Sequence, residues 1–150
     1  DNCRGKELEF KNLNDDEIKK YFQKEQIEIS DEVLKLSEGS INKALKILPK
    51  QDIYIKLEEL LKKIENINKL DILKQEFIYE QKDDIQNVLE VMNSILFQIA
   101  KEKTIYLNCI EIVENAKKNI KSNGNFDMCI DNLLLGIWEE INEKHSRSKI

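Results

Sequence analysis

Few residues in this sequence have side chains suited to chemistry, and their spacing suits little of it. His145 is the only histidine among 150 residues, and it lies in a polar C-terminal tail. A Ser/His/Asp or Cys/His nucleophile needs a histidine held in place as its base, so we expect no such system. The three cysteines, Cys3, Cys109 and Cys129, show no C-x-x-C spacing. They predict neither a zinc site nor a disulfide framework, and Cys109 and Cys129 fit small buried apolar positions.

Patterns for phosphate binding and acid-base chemistry are also missing. The four glycines are well separated and form neither G-x-x-x-x-G-K-[ST] nor G-x-G-x-x-G, the loops whose N–H groups hold phosphates. We therefore expect no ATP hydrolysis by this chain, no cofactor and no metal. The acidic runs Asp15–Glu17 and Asp83–Asp84 stand at predicted helix starts, where the helix dipole favours negative charge. That structural role is preferred over a pair of catalytic carboxylates.

The basic residues predict one small positive face. Lys117, Lys118 and Lys121 lie near the end of a predicted helix, where cations interact favourably with the dipole. This interpretation is preferred over contact with DNA. In the whole chain, 24 lysines and arginines oppose 29 aspartates and glutamates, a formal net charge of −5. Because both signs are interleaved along the chain, the sequence predicts solvated helix faces and no broad nucleic-acid surface.

Composition also bears on location. The mean hydropathy is −0.54, and no run of about 18 apolar residues is present, so no membrane span is predicted. No positively charged start followed by an apolar stretch marks secretion. We expect a cytoplasmic protein with reduced thiols. The sequence begins at Asp1 and not at a methionine, and we expect it to be part of a longer chain.

The elements that position these residues are predicted to be helices throughout. Four glycines and one proline are too few for a strand-rich fold with a turn every 8–12 residues or so. In the first fifty residues, Asn14, Ser30 and Ser40 precede apolar periodic stretches as N-caps, and Asn14 has a glutamate three residues on, as in a capping box. Of the three short helices that result, we expect the second to end at Gly39 and the third at Pro49.

Longer helices are predicted after a boundary at Pro49–Asp52. Apolar spacing places five of them at Ile53–Asn66, Leu70–Tyr79, Asp83–Lys101, Ile105–Lys121 and Phe126–Glu143. We expect them to form a bundle of roughly five antiparallel helices joined by short loops. Before the last helix, Asn123 or Gly124 can end the preceding one in a left-handed conformation, and Asn125 can cap the next.

The helix predicted at 83–101 carries apolar residues on more than one face: Val88, Leu89, Val91, Met92, Ile95, Leu96, Phe97 and Ile99. Such a helix is either central in its bundle or shared with a partner, and central burial is the more common arrangement.

The order of several motifs resembles the lid of AAA+ clamp loader subunits. In that family a Ser-Arg-Cys motif and a Phe-x-x-Leu segment precede a three-helix lid with the second sensor motif, Gly-Ser-x-Arg-x-Ala-Leu. Here Asp1–Arg4 corresponds to the first motif, Phe10–Leu13 to the second and Gly39–Leu45 to the sensor. Further along, Asn123–Phe126 leading into the leucine-rich Ile130–Leu135 is similar to the end of a non-hydrolysing subunit of the bacterial DNA polymerase III clamp loader.

Two positions depart from the family pattern. Asn2 stands where an arginine finger would be, and Asn42 stands where the sensor arginine would contact a nucleotide's phosphates. An amide cannot supply a fixed positive charge to a phosphoryl transition state. The resemblance therefore implies a degenerate nucleotide-sensing position at Asn2, Gly39, Ser40 and Asn42, in a subunit that does not hydrolyse ATP.

The resemblance implies an all-α fold with an AAA+ lid at residues 1–49 and a collar domain, through which subunits oligomerise, at residues 50–150. Its implied role is assembly of a five-subunit ring that places a sliding clamp on primed DNA during replication. The partners would be the ATP-binding and delta subunits, with DNA met only through the complex. The implied subunit-interface candidates are Asn125, Phe126, Leu133, Leu134 and Trp138.

Two other interpretations stay open. The apolar surplus also fits a stand-alone helical interaction module whose groove takes a partner's helix. An enzyme whose site has no visible motif is least favoured, because histidine is nearly absent and no phosphate loop exists. The reading frame upstream of Asp1 discriminates the first alternative from a clamp loader subunit, which would have an AAA+ core there.

Overall fold

The computed structural model describes residues 13–144, so the predictions placed on Asn2, Cys3, Arg4, Phe10 and His145 lie outside the described residues. Within them the fold is all-helical, without a strand, as the scarcity of glycine and proline predicts. No helix in residues 13–144 has the length and apolar character needed to cross a membrane. The chain divides into two compact units, residues 1–55 and 56–150, and each is described by itself.

The first unit contains three short helices, α1 (Asp15–Lys24), α2 (Asp31–Ser37) and α3 (Ile41–Ile47). Each starts at its predicted N-cap. Asn14 Oδ1 accepts from the Glu17 N–H at 2.9 Å, and Glu17 Oε1 accepts from the Asn14 N–H at 3.2 Å. These reciprocal bonds complete the predicted capping box and satisfy two N–H groups that a helix start leaves without partners.

The apolar stripes of these helices form a core of their own. The buried residues recur at helical spacing and are Ile18, Phe22, Val33, Leu34, Leu36, Ile41, Ala44 and Ile47. Ser37 is buried with them, and its hydroxyl donates to the Leu34 carbonyl at 2.7 Å. The buried Ser37 hydroxyl therefore has a hydrogen-bond partner, which avoids the free-energy cost of burying it unpaired.

The turn between α2 and α3 depends on left-handed backbone. Glu38 has φ of 51° and Gly39 has φ of 81°, so the prediction that Gly39 ends α2 in this conformation is confirmed. A Cβ built on Gly39 would lie 2.6 Å from the Leu13 carbonyl oxygen. The position therefore requires glycine for two reasons: the positive φ angle and the close approach of the backbone at Leu13.

No loop separates α3 from the next helix. Leu48–Lys50 forms a 3₁₀ turn with Pro49 at its start, and α4 (Gln51–Lys62) begins directly after it. The α-helix does end at Ile47, close to the predicted end at Pro49, but Leu48 keeps helical backbone with φ −49° and ψ −47°, so the expectation that the residue before the proline leaves the helical region is wrong. The division between the two units falls within α4.

In the second unit, short 3₁₀ turns separate most of the helices, with two of them between α4 and the next helix. Its helices after α4 are α5 (Glu76–Tyr79), α6 (Ile85–Ala100), α7 (Asn108–Lys121) and α8 (Phe126–Glu139), the last continuing as a π-helical turn at Glu140–Lys144. The 3₁₀ turns occupy Ile64–Asn66, Asp71–Lys74, Lys82–Asp84 and Thr104–Leu107. Several predicted helices therefore contain a 3₁₀ turn at one end.

The prediction of one continuous helix at Leu70–Tyr79 is wrong. The structure has a 3₁₀ turn and then a single α-helical turn, interrupted at Gln75 with φ −92° and ψ 71°. The Gln75 side chain donates from Nε2 to the Asp71 carbonyl at 2.9 Å, replacing the backbone N–H that a helix would place there. Ile72 and Ile78 are nevertheless fully buried, so both turns are anchored in the core.

Helix α6 is largely interior. Its residues Ile85, Val88, Leu89, Met92, Ile95, Leu96 and Ala100 are buried, whereas Val91 and Ile99 are half-buried. Phe97 is the exception, with 52% of its surface exposed. Central burial thus accounts for most of the apolar surplus that the sequence shows in this helix.

Helices α7 and α8 form a closely packed hairpin. Asn123, with φ of 63°, takes the left-handed position in the connecting turn, and Asn125 Oδ1 caps α8 by accepting from the Met128 N–H at 2.9 Å. A Cβ built on Gly136 would lie 3.1 Å from Ile112 Cγ2, so the lack of a side chain at Gly136 permits the close contact.

Candidate subunit-interaction site

The sensor-like turn of the first unit is built for capping. Ser40 Oγ accepts from the Lys43 N–H at 3.2 Å, and the Ser40 N–H donates to the Ser37 carbonyl at 2.9 Å. Gly39 is buried against the segment at Leu13. Both polar groups of Ser40 are thus used within the turn, and neither is directed at a ligand.

The neighbouring charges do not restore a phosphate site. Asn42 is exposed on α3, and Lys43 Nζ lies 3.5 Å from Glu38 Oε1. Lys43, the one cation within the motif Gly39–Leu45, is therefore already paired with a neighbouring carboxylate. Among residues 13–144, no group of three or more histidine, cysteine, aspartate or glutamate side chains is arranged to hold a metal ion. Asn2, the other predicted sensing position, lies outside that range.

The predicted interface residues of the second unit lie mostly inside it. Phe126, Leu133 and Leu134 expose 9%, 1% and 1% of their surface. Asn125 is exposed and holds the N-cap of α8. Trp138 is half-buried, and its Nε1 donates to the Ile67 carbonyl at 2.6 Å. Because the three apolar residues already fill the core, a surface for a neighbouring chain would have to be formed by other side chains.

One face of α8 instead holds the segment at residues 64–82 in place. The contacts are Trp138 to the Ile67 carbonyl, Asn142 Nδ2 to the Ile64 carbonyl at 3.1 Å, and the Tyr79 hydroxyl to Asp131 Oδ1 at 2.5 Å. We call these contacts, with the Lys69 pairs below, the α8 seam. A segment made largely of 3₁₀ turns gains few hydrogen bonds of its own, so the seam fixes its position.

Lys69 adds the charged part of the α8 seam. Its Nζ lies 2.9 Å from Glu139 Oε2 and 3.4 Å from Glu143 Oε1, and 5.8 Å from the centre of the Trp138 ring. The hydrogen bonds to Glu139 and then Glu143 raise the pKa of the Lys69 ammonium. All three charged groups are substantially exposed, so water screens their attraction and its contribution to stability is small.

The seam could only partly be found from sequence. The sequence predicts Trp138 as an interaction residue but not Asp131, Glu139 or Asn142. Glu139 follows Asp131 by about two helical turns, and Asn142 follows Glu139 by about one. That polar stripe was the available signal. Its partners Ile67 and Lys69 are about seventy residues away in the chain, and no local pattern identifies them.

Replacing Trp138 with phenylalanine is expected to lower the free energy of unfolding by about 1–2 kcal/mol, because the Ile67 carbonyl loses its donor and part of the ring contact disappears. Urea denaturation followed by circular dichroism measures the change. Phe97→Leu, which trims a ring that is 52% exposed, is the control and should change the value by less than about 0.5 kcal/mol. Equal effects of the two substitutions would contradict the role given to the seam.

Two tyrosines of the second unit have raised pKa values. Burial raises the pKa of Tyr106 to about 12, and its hydroxyl donates to the Leu61 carbonyl at 3.4 Å. Burial first, and then the hydrogen bond to Asp131, raises the pKa of Tyr79 further. In both cases the folded chain favours the neutral phenol.

This shift predicts that the second unit loses stability at high pH. Below about pH 10 both tyrosines are neutral in folded and unfolded chains, and their contribution is fully present. As pH rises toward the folded pKa, the unfolded chain releases these protons first, so the free energy of unfolding falls by at most about 1.4 kcal/mol per pH unit for each tyrosine. Urea denaturation between pH 9 and 11.5 or so measures the slope. Tyr106→Phe and Tyr79→Phe should each make it shallower, and an unchanged slope in both variants would refute the assignment.

The basic face predicted on α7 is partly neutralised. Lys117 Nζ lies 3.3 Å from Glu114 Oε2 and 3.8 Å from Glu90 Oε1, and its side chain is only 16% exposed. Glu114 also accepts from Asn93 Nδ2 at 2.6 Å. Lys117 therefore joins α6 to α7 and is poorly placed for DNA, whereas Lys118 and Lys121 are exposed.

Among the described residues of the second unit, the exposed large apolar side chains are Leu70, Phe97, Leu107 and Met128, at 74%, 52%, 46% and 62%. Large exposed apolar side chains are the usual anchors of protein interfaces. Unlike the buried leucines of α8, these side chains are accessible to an apolar partner.

Comparisons of the chain with protein-family models, with curated proteins and with solved structures found no match.

Proposed function

We propose that the chain is the lid and collar of a clamp loader subunit of bacterial DNA polymerase III, of the kind represented by the delta-prime subunit. Its role is to assemble the pentameric loader, which places the sliding clamp on primed DNA during replication. The partners are the ATP-binding subunits and the delta subunit, and DNA is met only through the complex. The proposal carries with it a cytoplasmic location.

One observation carries this proposal. The Phe-x-x-Leu segment ends at Leu13 and the sensor-like motif begins at Gly39, and the two are separate in the sequence. In the fold the Leu13 carbonyl oxygen lies so near Gly39 that a Cβ there would come within 2.6 Å of it. Leu13, the described end of the first motif, is thus packed against the first residue of the second, which supports the two motifs belonging to one lid-like unit.

The arrangement of units is compatible with the proposal. A small three-helix unit is followed by a larger helical one, with the division in α4 shortly after Pro49. A lid followed by a collar needs this order. The all-helical fold of residues 13–144 also suits a part whose work is assembly.

The degenerate sensor supports the choice of a non-hydrolysing subunit. Asn42 offers an amide where the ATP-binding subunits have arginine, and Lys43 beside it is paired with Glu38. The Ser40 hydroxyl oxygen caps α3, a helix of seven residues, by accepting from the Lys43 N–H. The chain is therefore proposed as a structural member of the polymerase holoenzyme and not as its catalyst.

Size-exclusion chromatography with light scattering tests the proposal. The full chain is mixed with the ATP-binding and delta subunits of the loader, and we expect it to elute with them. The variant Phe97→Ser/Leu107→Ser should elute later, because it removes two exposed apolar side chains of the second unit. Elution of the unaltered chain by itself at every subunit ratio would remove the proposal's main consequence.

A second candidate is a stand-alone helical interaction module. The observation in its favour is the same exposed set of Leu70, Phe97, Leu107 and Met128, which would serve any apolar partner helix. The reading frame that encodes Asp1 discriminates the two. An AAA+ core directly upstream supports the clamp loader subunit, whereas an initiator methionine without an upstream P-loop supports the module.

A further inference from the structure

The turn between α7 and α8 contains the one Asn-Gly pair of the sequence, Asn123–Gly124. In such a pair the backbone nitrogen after the asparagine can attack the carbon of the side-chain amide. Because glycine has no Cβ, its nitrogen approaches that carbon with little steric hindrance. Asn123 and Gly124 are both exposed, so solvent reaches the reacting groups. The pair is therefore suited to deamidation, the loss of the Asn123 side-chain amide.

The reaction needs only water as a co-reactant. The Gly124 nitrogen gives its proton to solvent and forms a bond to Asn123 Cγ. The bond from Cγ to Nδ2 breaks, and Nδ2 takes a proton and leaves as ammonia. A water molecule then opens the cyclic succinimide that results. Attack of water at one carbonyl gives aspartate, and attack at the other gives isoaspartate, in which the main chain runs through Cβ and Cγ.

The folded turn restrains the attacking nitrogen. The Gly124 N–H donates to the Asn119 carbonyl at 3.0 Å. The Asn123 N–H donates to the Ile120 carbonyl at 3.1 Å. Together they are the two bonds of a Schellman motif, with Asn123 in the left-handed position that ends α7. A Cβ built on Gly124 would lie 3.0 Å from Cys129 Sγ, so the turn also packs against α8. The Gly124 nitrogen thus has its proton engaged and its movement restricted.

We propose that Asn123–Gly124 is a site of spontaneous deamidation that the folded turn protects and that becomes reactive when the end of α7 opens. Either product places a carboxylate at the C-terminal end of α7, where the helix dipole disfavours negative charge. Isoaspartate also adds a carbon to the main chain between the two N–H groups of the Schellman motif. The modification therefore weakens the turn that joins α7 to α8. It is independent of the proposed function, because it involves this chain alone.

Peptide mapping by mass spectrometry, after incubation of the full chain at mildly alkaline pH, tests the proposal. The measured quantity is the first-order rate at which Asn123 loses its amide, with aspartate and isoaspartate separated by chromatography. In urea that unfolds the chain, we expect Asn123 to react faster than any other asparagine. Without urea its rate should be at least about tenfold lower, because the reaction then waits for the turn to open. Equal rates in the two conditions, or a faster reaction of another asparagine in urea, would overturn the proposal.

A matched pair of cap variants tests whether this turn provides the protection. Asn125→Ala removes the N-cap bond from the Met128 N–H, beside the turn, and Asn14→Ala removes the equivalent bond from the Glu17 N–H in the first unit; both bonds are 2.9 Å long. Without urea, Asn125→Ala should raise the rate at Asn123 several-fold, whereas Asn14→Ala should leave it unchanged. In urea all three chains should react alike, because no turn remains to protect the pair. Equal responses to the two substitutions without urea would overturn the role given to the turn.

Discussion

Leu133→Ala and Leu134→Ala are each expected to lower the free energy of unfolding of the isolated chain by about 2–5 kcal/mol. Both side chains are 1% exposed, so truncation removes buried apolar surface and leaves a cavity that the neighbours fill only in part. Urea denaturation of the chain without any partner measures the loss. This is the largest single-residue effect that we predict for the second unit.

Leu70→Ala makes the same chemical change at a leucine that is 74% exposed, and we expect it to alter the free energy of unfolding by less than about 0.5 kcal/mol. The comparison separates two roles for the leucine-rich helix. Core residues destabilise the chain alone, whereas interface residues weaken only a complex. If Leu133→Ala and Leu134→Ala left the isolated chain as stable as Leu70→Ala does, these leucines would be available to a partner after all.

Gly39→Ala is expected to destabilise the first unit. A left-handed conformation costs a residue with a Cβ about 1–2 kcal/mol, and φ at Gly39 is 81°. The added Cβ would also stand 2.6 Å from the Leu13 carbonyl oxygen, a backbone atom that cannot rotate away. Hydrogen exchange at the amides of Phe22 and Ala44, which are buried in that unit, should become faster by up to about tenfold for each 1.4 kcal/mol lost.

Gly136→Ala is the matched control. Gly136 lies within α8, where alanine is favoured over glycine by about 1 kcal/mol. The new Cβ would meet only Ile112 Cγ2, at 3.1 Å, and a side-chain methyl can move. We expect a net change within about 1 kcal/mol in either direction. A loss at Gly136 as large as the loss at Gly39 would contradict the assignment of a special backbone position to Gly39.

Local signals in the sequence predicted helix starts well. Asn14, Ser30, Ser40 and Asn125 all cap helices as expected, because an N-cap is decided by a side chain and the N–H groups two or three residues away. The break at Gln75 was missed. There the Gln75 side chain takes the Asp71 carbonyl that a helical backbone N–H would otherwise bond. The apolar spacing of the stretch is still helical, so periodicity does not reveal this break.

The candidate site was predictable only in part. Apolar spacing correctly places Phe126, Leu133 and Leu134 on a helix, but a stripe that faces the core and one that faces a partner have the same spacing. Tyr79 and Asp131 are 52 residues apart in sequence, so their pairing depends on how α5 and α8 pack. The exposed face around Phe97 is likewise decided by which side of α6 the other helices cover.

Native mass spectrometry of the chain mixed with the ATP-binding and delta subunits tests the central claim most directly. We expect one dominant assembly of five subunits that contains a single copy of this 17.7 kDa chain, and we expect Phe97→Ser/Leu107→Ser to reduce its abundance. Detection of the chain only as a free species, with the other subunits assembling without it, would contradict the account.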